Sequence, residues 1–473
     1  MADTNQYFKS KEFLNILHQY EAACQTGSSV YLEAEDLTDI AEYYHSKDDM
    51  EGADEAIEYA LKLHPGAAVP LAYKARKALL VDFDARKADA IAEQISDKTD
   101  LDYFYIKAEI MIADGREGKA DAYLKDRLND VSEDDREDYY IDVANLFIDY
   151  QQDEKCREWL MRSEETDSDD YKELEGRLAL YAGDFKQSER IFTDLINRDP
   201  FSYTLWNQLA SSQLRSNNIQ EALQSSEYAI AINPEDGEAL LTKAGCLLAL
   251  RNYEQAIEYY RRYTQLCPKD EYGELLYGVT LFNINRPEEA LLHMKRAEQI
   301  AQGISGYLQE IYQQIAFTES TLKHPKEALE YLQKAMLLPD ANLNELLVMK
   351  GHILLENHQA DAAERSFRHA LVDSGMEPII LLHVAVSFYD NGYPESAYNL
   401  LRKLMETADS DWKDGYAYLA MCCYELKKKE EFLAALQKAC QVNPVEAEAV
   451  LGSLFPDETE PKDYYSYMIN NQS

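Results

Sequence analysis

Along this chain, apolar side chains recur three and four residues apart in short segments, and the segments close on glycine, asparagine or proline. Spacing of this kind predicts amphipathic helices joined by tight turns. Phe13, Leu17, Tyr20 and Cys24 form the first such stripe, with Ser10 placed to cap its start and Gly27 to end it. Farther on, the pattern becomes periodic at a second level. Tyr203 to Asp236 and Gly237 to Asp270 superpose without a gap: Trp206, Leu209, Ala210, Ala222, Ala229 and Pro234 hold the offsets of Leu240, Lys243, Ala244, Ala256, Tyr263 and Pro268. The period is about 34 residues.

Extending that register places unit starts at Ala34, Ala68, Leu101, Glu137, Asp169, Tyr203, Gly237, Glu271, Gln309, Asn344, Pro378 and Lys413. The eighth position is then always alanine or glycine, with Gly176, Gly278 and Gly351 as the glycines and Ala41, Ala75, Ala108, Ala144, Ala210, Ala244, Ala316, Ala385 and Ala420 as the rest. Side chains this small predict a close approach of two helix backbones in every unit. Alanine fills most twentieth positions too, with Cys156 and Ser188 as substitutes of similar size and Lys87, next to Ala88, as an exception. Gly115, Gly183, Asn217, Asn252, Asn285, Asn357 and Gly392 are expected in the left-handed conformation that ends a first helix. Pro287, Pro325 and Pro394 are expected to open second helices, and Pro65, Pro200, Pro234, Pro268 and Pro444 to stop them. Between Glu271 and Gln309 the spacing lengthens, so Ala301 to Gly306 is expected to be an irregular joint, either a bend or the end of a longer helix.

A repeat of this length, with a small residue at position eight, alanine at twenty and proline at thirty-two, resembles the tetratricopeptide repeat, a helix-turn-helix unit. The resemblance implies an all-α, right-handed superhelical solenoid of about twelve units with atypical capping helices at both ends. The expected organisation is a capping helix in 1–33, a first part of the array in 34–308, a second part in 309–446, and a capping helix with an apolar tail in 447–473. The acidic, tyrosine-rich texture is also similar to that of uncharacterised repeat proteins of Bacteroides-type bacteria.

Charge narrows the function further. The 473 residues carry 87 Asp plus Glu against 47 Lys plus Arg, a formal net charge of −40. A body this negative repels a polyanion, and no basic stripe offsets it, so nucleic acid is not an expected partner. Seven cysteines without a Cys-x-x-Cys pair read as reduced thiols. No window supplies the roughly 20 apolar residues of a membrane span and the first residues show no leader pattern, so the expected location is the cytoplasm, with no membrane partner. Phosphate-binding glycine loops, His-Glu-x-x-His pairs and nucleophile elbows do not occur. The reading is a non-enzyme with no cofactor, metal or catalytic residue, an enzyme with a site built from scattered side chains being an alternative.

The resemblance further implies that first helices line a concave groove. Carried onto this chain, the partner-binding positions are Asp39, Glu42, Arg76, Tyr105, Glu109, Asp142, Asn145 and Arg177 in a mostly acidic first half. They continue as Asn207, Gln208, Ser211, Tyr272, Gln313, His352, His383 and Tyr389 in a more neutral second half. The Lys, Asn and Arg clamp by which some members hold chaperone C-termini is missing: its positions carry Asn207, Ser211, Leu241 and Gly245. The sequence thus predicts a scaffold for a protein or linear peptide, with basic partners favoured by the acidic half. A peptide-sensing regulator whose curvature changes on binding is the alternative, and the oligomeric state stays open.

Overall fold

The computed structural model describes residues 7–47, 49–301, 306–409, 411–456 and 459–470. The centre of the expected joint, Gln302 to Ser305, lies outside them. All regular structure among the described residues is helical, and none of these helices is long and apolar enough to cross a membrane. The chain divides into two compact units, Met1–Cys246 and Leu247–Ser473.

In the unit Met1–Cys246, the helix Lys11–Thr26 starts at Ser10, whose hydroxyl accepts from the Phe13 amide at 3.1 Å, and stops at Gly27, φ 64°. Of its expected stripe, Phe13, Leu17 and Tyr20 are buried together with Leu37 and Ile40 of the helix Ala34–Ser46, whereas Cys24, in the last turn, is exposed. Helix pairs follow: Ala34–Ser46 with Met50–Leu63, Ala68–Leu80 with Ala85–Ala92, Leu101–Ala113 with Glu117–Arg127, Arg136–Asp149 with Asp153–Leu160, Asp169–Tyr181 with Phe185–Arg198, and Tyr203–Arg215 with Ile219–Ile232. An exposed ion pair, Lys47 Nζ to Glu235 Oε2 at 3.2 Å, joins residues far apart in this unit's sequence.

The unit Leu247–Ser473 continues the alternation through Glu271–Asn283 with Pro287–Ala301, Leu308–Thr321 with Pro325–Met336, Leu343–Glu356 with Ala360–Asp373, Pro378–Asp390 with Pro394–Thr407, and Tyr416–Glu425 with Lys429–Val442. The last pair opens at Tyr416, three residues beyond the expected Lys413, because Gly415 turns left-handed there (φ 85°) and its amide donates to Glu446 Oε1 at 2.7 Å. In the tail, the helix Pro461–Asn470 packs on Lys429–Val442, and buried Tyr464 stacks on Phe455 with centroids 3.8 Å apart.

The small-residue column has a steric cause. A Cβ added to Gly176 would lie 2.8 Å from Phe192 Cζ; at Gly278 it would lie 2.8 Å from Met294 Cγ, and at Gly351 2.3 Å from Phe367 Cε1. Each obstacle belongs to the second helix of the same pair, so the seam leaves no room for a larger side chain. In the short helix Ala85–Ala92 the buried small residue is Ala88, one position late, while Lys87 is exposed. The turn residues need one correction. Asn252 and Asn357 are not left-handed, with φ −84° and −99°; Arg251 (φ 60°) and His358 (φ 57°) take that conformation instead. The length of the first helix, rather than the tolerance of asparagine for positive φ, decides which residue turns, and Asn357 instead donates to the Ile353 carbonyl at 2.8 Å.

Candidate functional site

In the unit Met1–Cys246, five consecutive first helices bring polar side chains to one side, each through the residues of its exposed face. Arg76, near the end of Ala68–Leu80, donates from Nη2 to Glu109 Oε1 at 2.7 Å and from Nε to both Glu109 oxygens at 2.9 and 3.0 Å. Glu109 is only 8% exposed, so the fork of Arg76 supplies the hydrogen bonds that its burial would otherwise remove. Tyr105, one turn earlier, donates its hydroxyl to Asp142 Oδ2 at 2.9 Å. On the next two first helices, Arg177 donates to Asn145 Oδ1 at 2.8 Å and to Asp149 Oδ1 at 2.6 Å.

These side chains border two connected cavities. One, of about 520 Å³, is lined by Arg76, Leu80, Tyr105, Glu109, Asp142, Asn145, Leu146, Asp149 and Tyr150. The other, of about 950 Å³, shares Asp142, Asn145 and Asp149 and continues past Glu137, Asp138, Asp170, Glu173 and Arg177 to Asp199 and Thr204. Burial, reinforced by Asp138 and Asp170, holds the Asp142 carboxyl above its ordinary range although Tyr105 donates to it. Burial likewise raises Glu173 and Asp102. Asp39, hydrogen-bonded with Tyr7, and Glu42 are raised for the same reason, without lining these cavities.

Three expected positions fall in Tyr203–Arg215. Asn207 is 4% exposed and donates from Nδ2 to Asp236 Oδ2 at 2.7 Å, while Asp236 also accepts from the Ala239 amide at 2.8 Å. Its donor thus holds the start of the next first helix. Gln208 and Ser211 are half-buried and line neither cavity.

The unit Leu247–Ser473 holds a smaller cavity, about 250 Å³, where Gln313, His352 and His383 meet Phe317, Glu345, Val348, Met349, Val386, Ser387 and Asp390. His383 Nδ1 lies 2.9 Å from Glu345 Oε2, and His352 Nδ1 lies 3.5 Å from Asn391 Nδ2. Burial raises the Asp390 carboxyl, opposed by His352. Tyr272 stacks on Tyr307 at 4.7 Å, and Tyr389 donates to Glu425 Oε1 at 2.9 Å; neither lines this cavity. Among the described residues no group of three or more His, Cys, Asp or Glu is arranged to hold a metal ion.

Several lining residues were not singled out from the sequence. Asp170 and Glu345 stand at the second position of their units, and Leu80 and Asp390 at the thirteenth, so the register that found Asp142 also reaches them. Ser163, Glu165 and Asp199 come from connecting segments, where helical spacing gives no signal.

Comparison with known proteins gives the repeats an identity. Residues 174–231 and 207–271 match the model of the tetratricopeptide repeat. A DnaJ homolog subfamily C member 7 homolog of Dictyostelium discoideum is 27% identical over 164 residues, 34% of this chain and 28% of the relative. A tetratricopeptide repeat protein 30 homolog of Drosophila pseudoobscura pseudoobscura is 23% identical over 176 residues, 36% of this chain and 26% of the relative. The chain thus spans about a quarter of the length of these curated relatives. A tetratricopeptide repeat protein from Parabacteroides merdae, solved by crystallography, aligns with 60% of this chain and 97% of its own, at 14% identity and a TM-score of 0.43. Residues 174–271 are thus tetratricopeptide repeats, and helix pairs of similar length precede and follow them in the sequence.

Proposed function

We propose that this chain is a non-enzymatic binding scaffold, and that the groove of the unit Met1–Cys246 takes a lysine- or arginine-bearing segment of a partner protein. One observation carries the reading. The larger cavity is lined by Glu137, Asp138, Asp142, Asp149, Glu165, Asp170, Glu173 and Asp199 against a single cation, Arg177, already engaged by Asp149 and Asn145. Burial, and to a lesser degree repulsion from neighbouring carboxylates, holds Asp142 and Glu173 above their ordinary range, so a second charge of the same sign is costly here. A partner's ammonium or guanidinium groups would relieve the repulsion on binding, and relief of this kind gives selectivity and fast association.

The test is a titration of the full chain with a labelled Lys/Arg-rich peptide and with an Asp/Glu-rich peptide of the same length, at rising salt. The basic peptide is expected to bind and to weaken steadily with salt, because exposed charge pairs are screened over about 10 Å at 0.1 M. Equal binding of the acidic peptide, or affinity indifferent to salt, would refute the electrostatic reading.

A further inference from the structure

The turn after Ala68–Leu80 departs from the other turns of its unit in two ways. Where these carry Gly115, Gly183, Asn217 or the polar Gln151 at the left-handed position, it carries Phe83, at φ 53°. A bulky aromatic residue is strained in that conformation. Phe83 is also 81% exposed, with Leu80 at 57% and Val81 at 55%, the densest run of exposed large apolar side chains among the described residues. The turn needs the left-handed backbone, which the Asp84 amide closes onto the Ala78 carbonyl, but an exposed aromatic side chain adds no burial to it. Leu80 meanwhile lines the smaller cavity with Tyr105 and Tyr150, and that cavity runs into the acidic one through Asp142, Asn145 and Asp149. Leu80 therefore links the apolar turn to the surface that carries the carboxylates.

We infer that the turn Leu80 to Phe83 is the apolar anchor site of the acidic groove, and that its occupant is a basic segment carrying an aromatic or large aliphatic residue near its lysines or arginines. This rests on the groove taking a basic segment. Charge complementarity defines one part of the ligand and the exposed turn defines the other. Asp82 and Asp84 flank Phe83, so an anionic lipid surface is repelled from the same site. Spacing follows from geometry. Packed helices lie about 10 Å apart, and two such steps separate the helix of Leu80 from that of Asp142. At about 3.3 Å per extended residue, the anchor sits about six residues from the nearest basic side chain.

Two labelled peptides test this on the full chain by fluorescence anisotropy: a Lys/Arg peptide without aromatics, and the same peptide with phenylalanine six residues from its basic cluster. The second is expected to bind about tenfold more tightly. Phe83→Gly, which relieves the backbone strain and should leave Tm at or above that of the native chain, is expected to abolish this advantage and leave the first peptide's affinity unchanged. Equal affinity of the two peptides for the native chain overturns the anchor site while the groove stands, and so does an advantage that survives both Phe83→Gly and Leu80→Ser. If neither peptide binds, the groove reading falls and takes the anchor with it.

Discussion

The groove of the unit Met1–Cys246 and the cavity of the unit Leu247–Ser473 draw on corresponding positions of first helices in different pairs, but their chemistry differs. In the first, carboxylates outnumber cations and burial lifts the pKa of Asp142 and Glu173. In the second, Phe317, Val348, Met349 and Val386 make a small apolar surface, and Glu345 is met by His383. Each unit has a seam of the same kind between paired helices, closed at Gly176 by Phe192 in the first and at Gly351 by Phe367 in the second. The repeat therefore constrains the positions between paired helices and leaves the outward positions of the first helix free to diverge. Binding specificity can change here without any change of frame.

The largest expected effect separates the two surfaces directly. Asp138→Lys combined with Asp142→Lys should lower affinity for a Lys/Arg peptide about a hundredfold, since close charge pairs at interfaces commonly couple by ~1.5 kcal/mol or more. Asp390→Asn, in the other unit, should leave that affinity unchanged in the same titration. Equal losses would remove the distinction. Next, Gly176→Val and Gly351→Val should each destabilise by about 1–3 kcal/mol in urea unfolding. Similar values would establish one seam in both units, and a harmless Gly351→Val would break that equivalence.

A smaller effect concerns pH. A carboxyl whose pKa is raised by folding binds its proton more readily when folded, so it costs stability above its folded pKa and ceases to do so as pH falls below its unfolded value. Asp142→Asn with Glu173→Gln should therefore raise stability at pH 7, by less than about 1 kcal/mol after solvent screening, with the gain shrinking in acid. Thermal unfolding at several pH values would measure it, and a gain that grows in acid would contradict the assigned cause. The smallest effect is expected at His383→Gln, because the pair with Glu345 is partly exposed, with His383 at 41% and Glu345 at 27% side-chain exposure. The change in stability should stay below about 1 kcal/mol and diminish with salt.

Legibility in the sequence followed the same division. Helix starts such as Ala34, Ala68 and Tyr203 could be read because alanine, glycine and proline recur wherever steric limits recur. Of the expected groove positions, Arg76, Tyr105, Glu109, Asp142, Asn145 and Arg177 meet around connected cavities, since a shared register puts them on equivalent faces of successive helices. Asn207 shows the limit of that reasoning: a register assigns a face, but the acceptor that Asp236 offers determines where the side chain goes. Arg251 shows another, because residue preference for positive φ is weaker than the demand of helix length. Asp199 and Glu165 escape altogether, as no periodicity governs the segments that carry them.

The pairwise architecture also bears on how the chain acquires its structure. Every extensive helix contact joins helices no more than two apart in sequence, whereas the Lys47 to Glu235 bridge spans 188 residues and is exposed to water at both ends. Ordering therefore requires almost no long loop closure, which favours rapid nucleation at many points. Helix pairs can consolidate one after another as the ribosome releases them, and the bridge from Lys47 to Glu235 can form only once six pairs are in place.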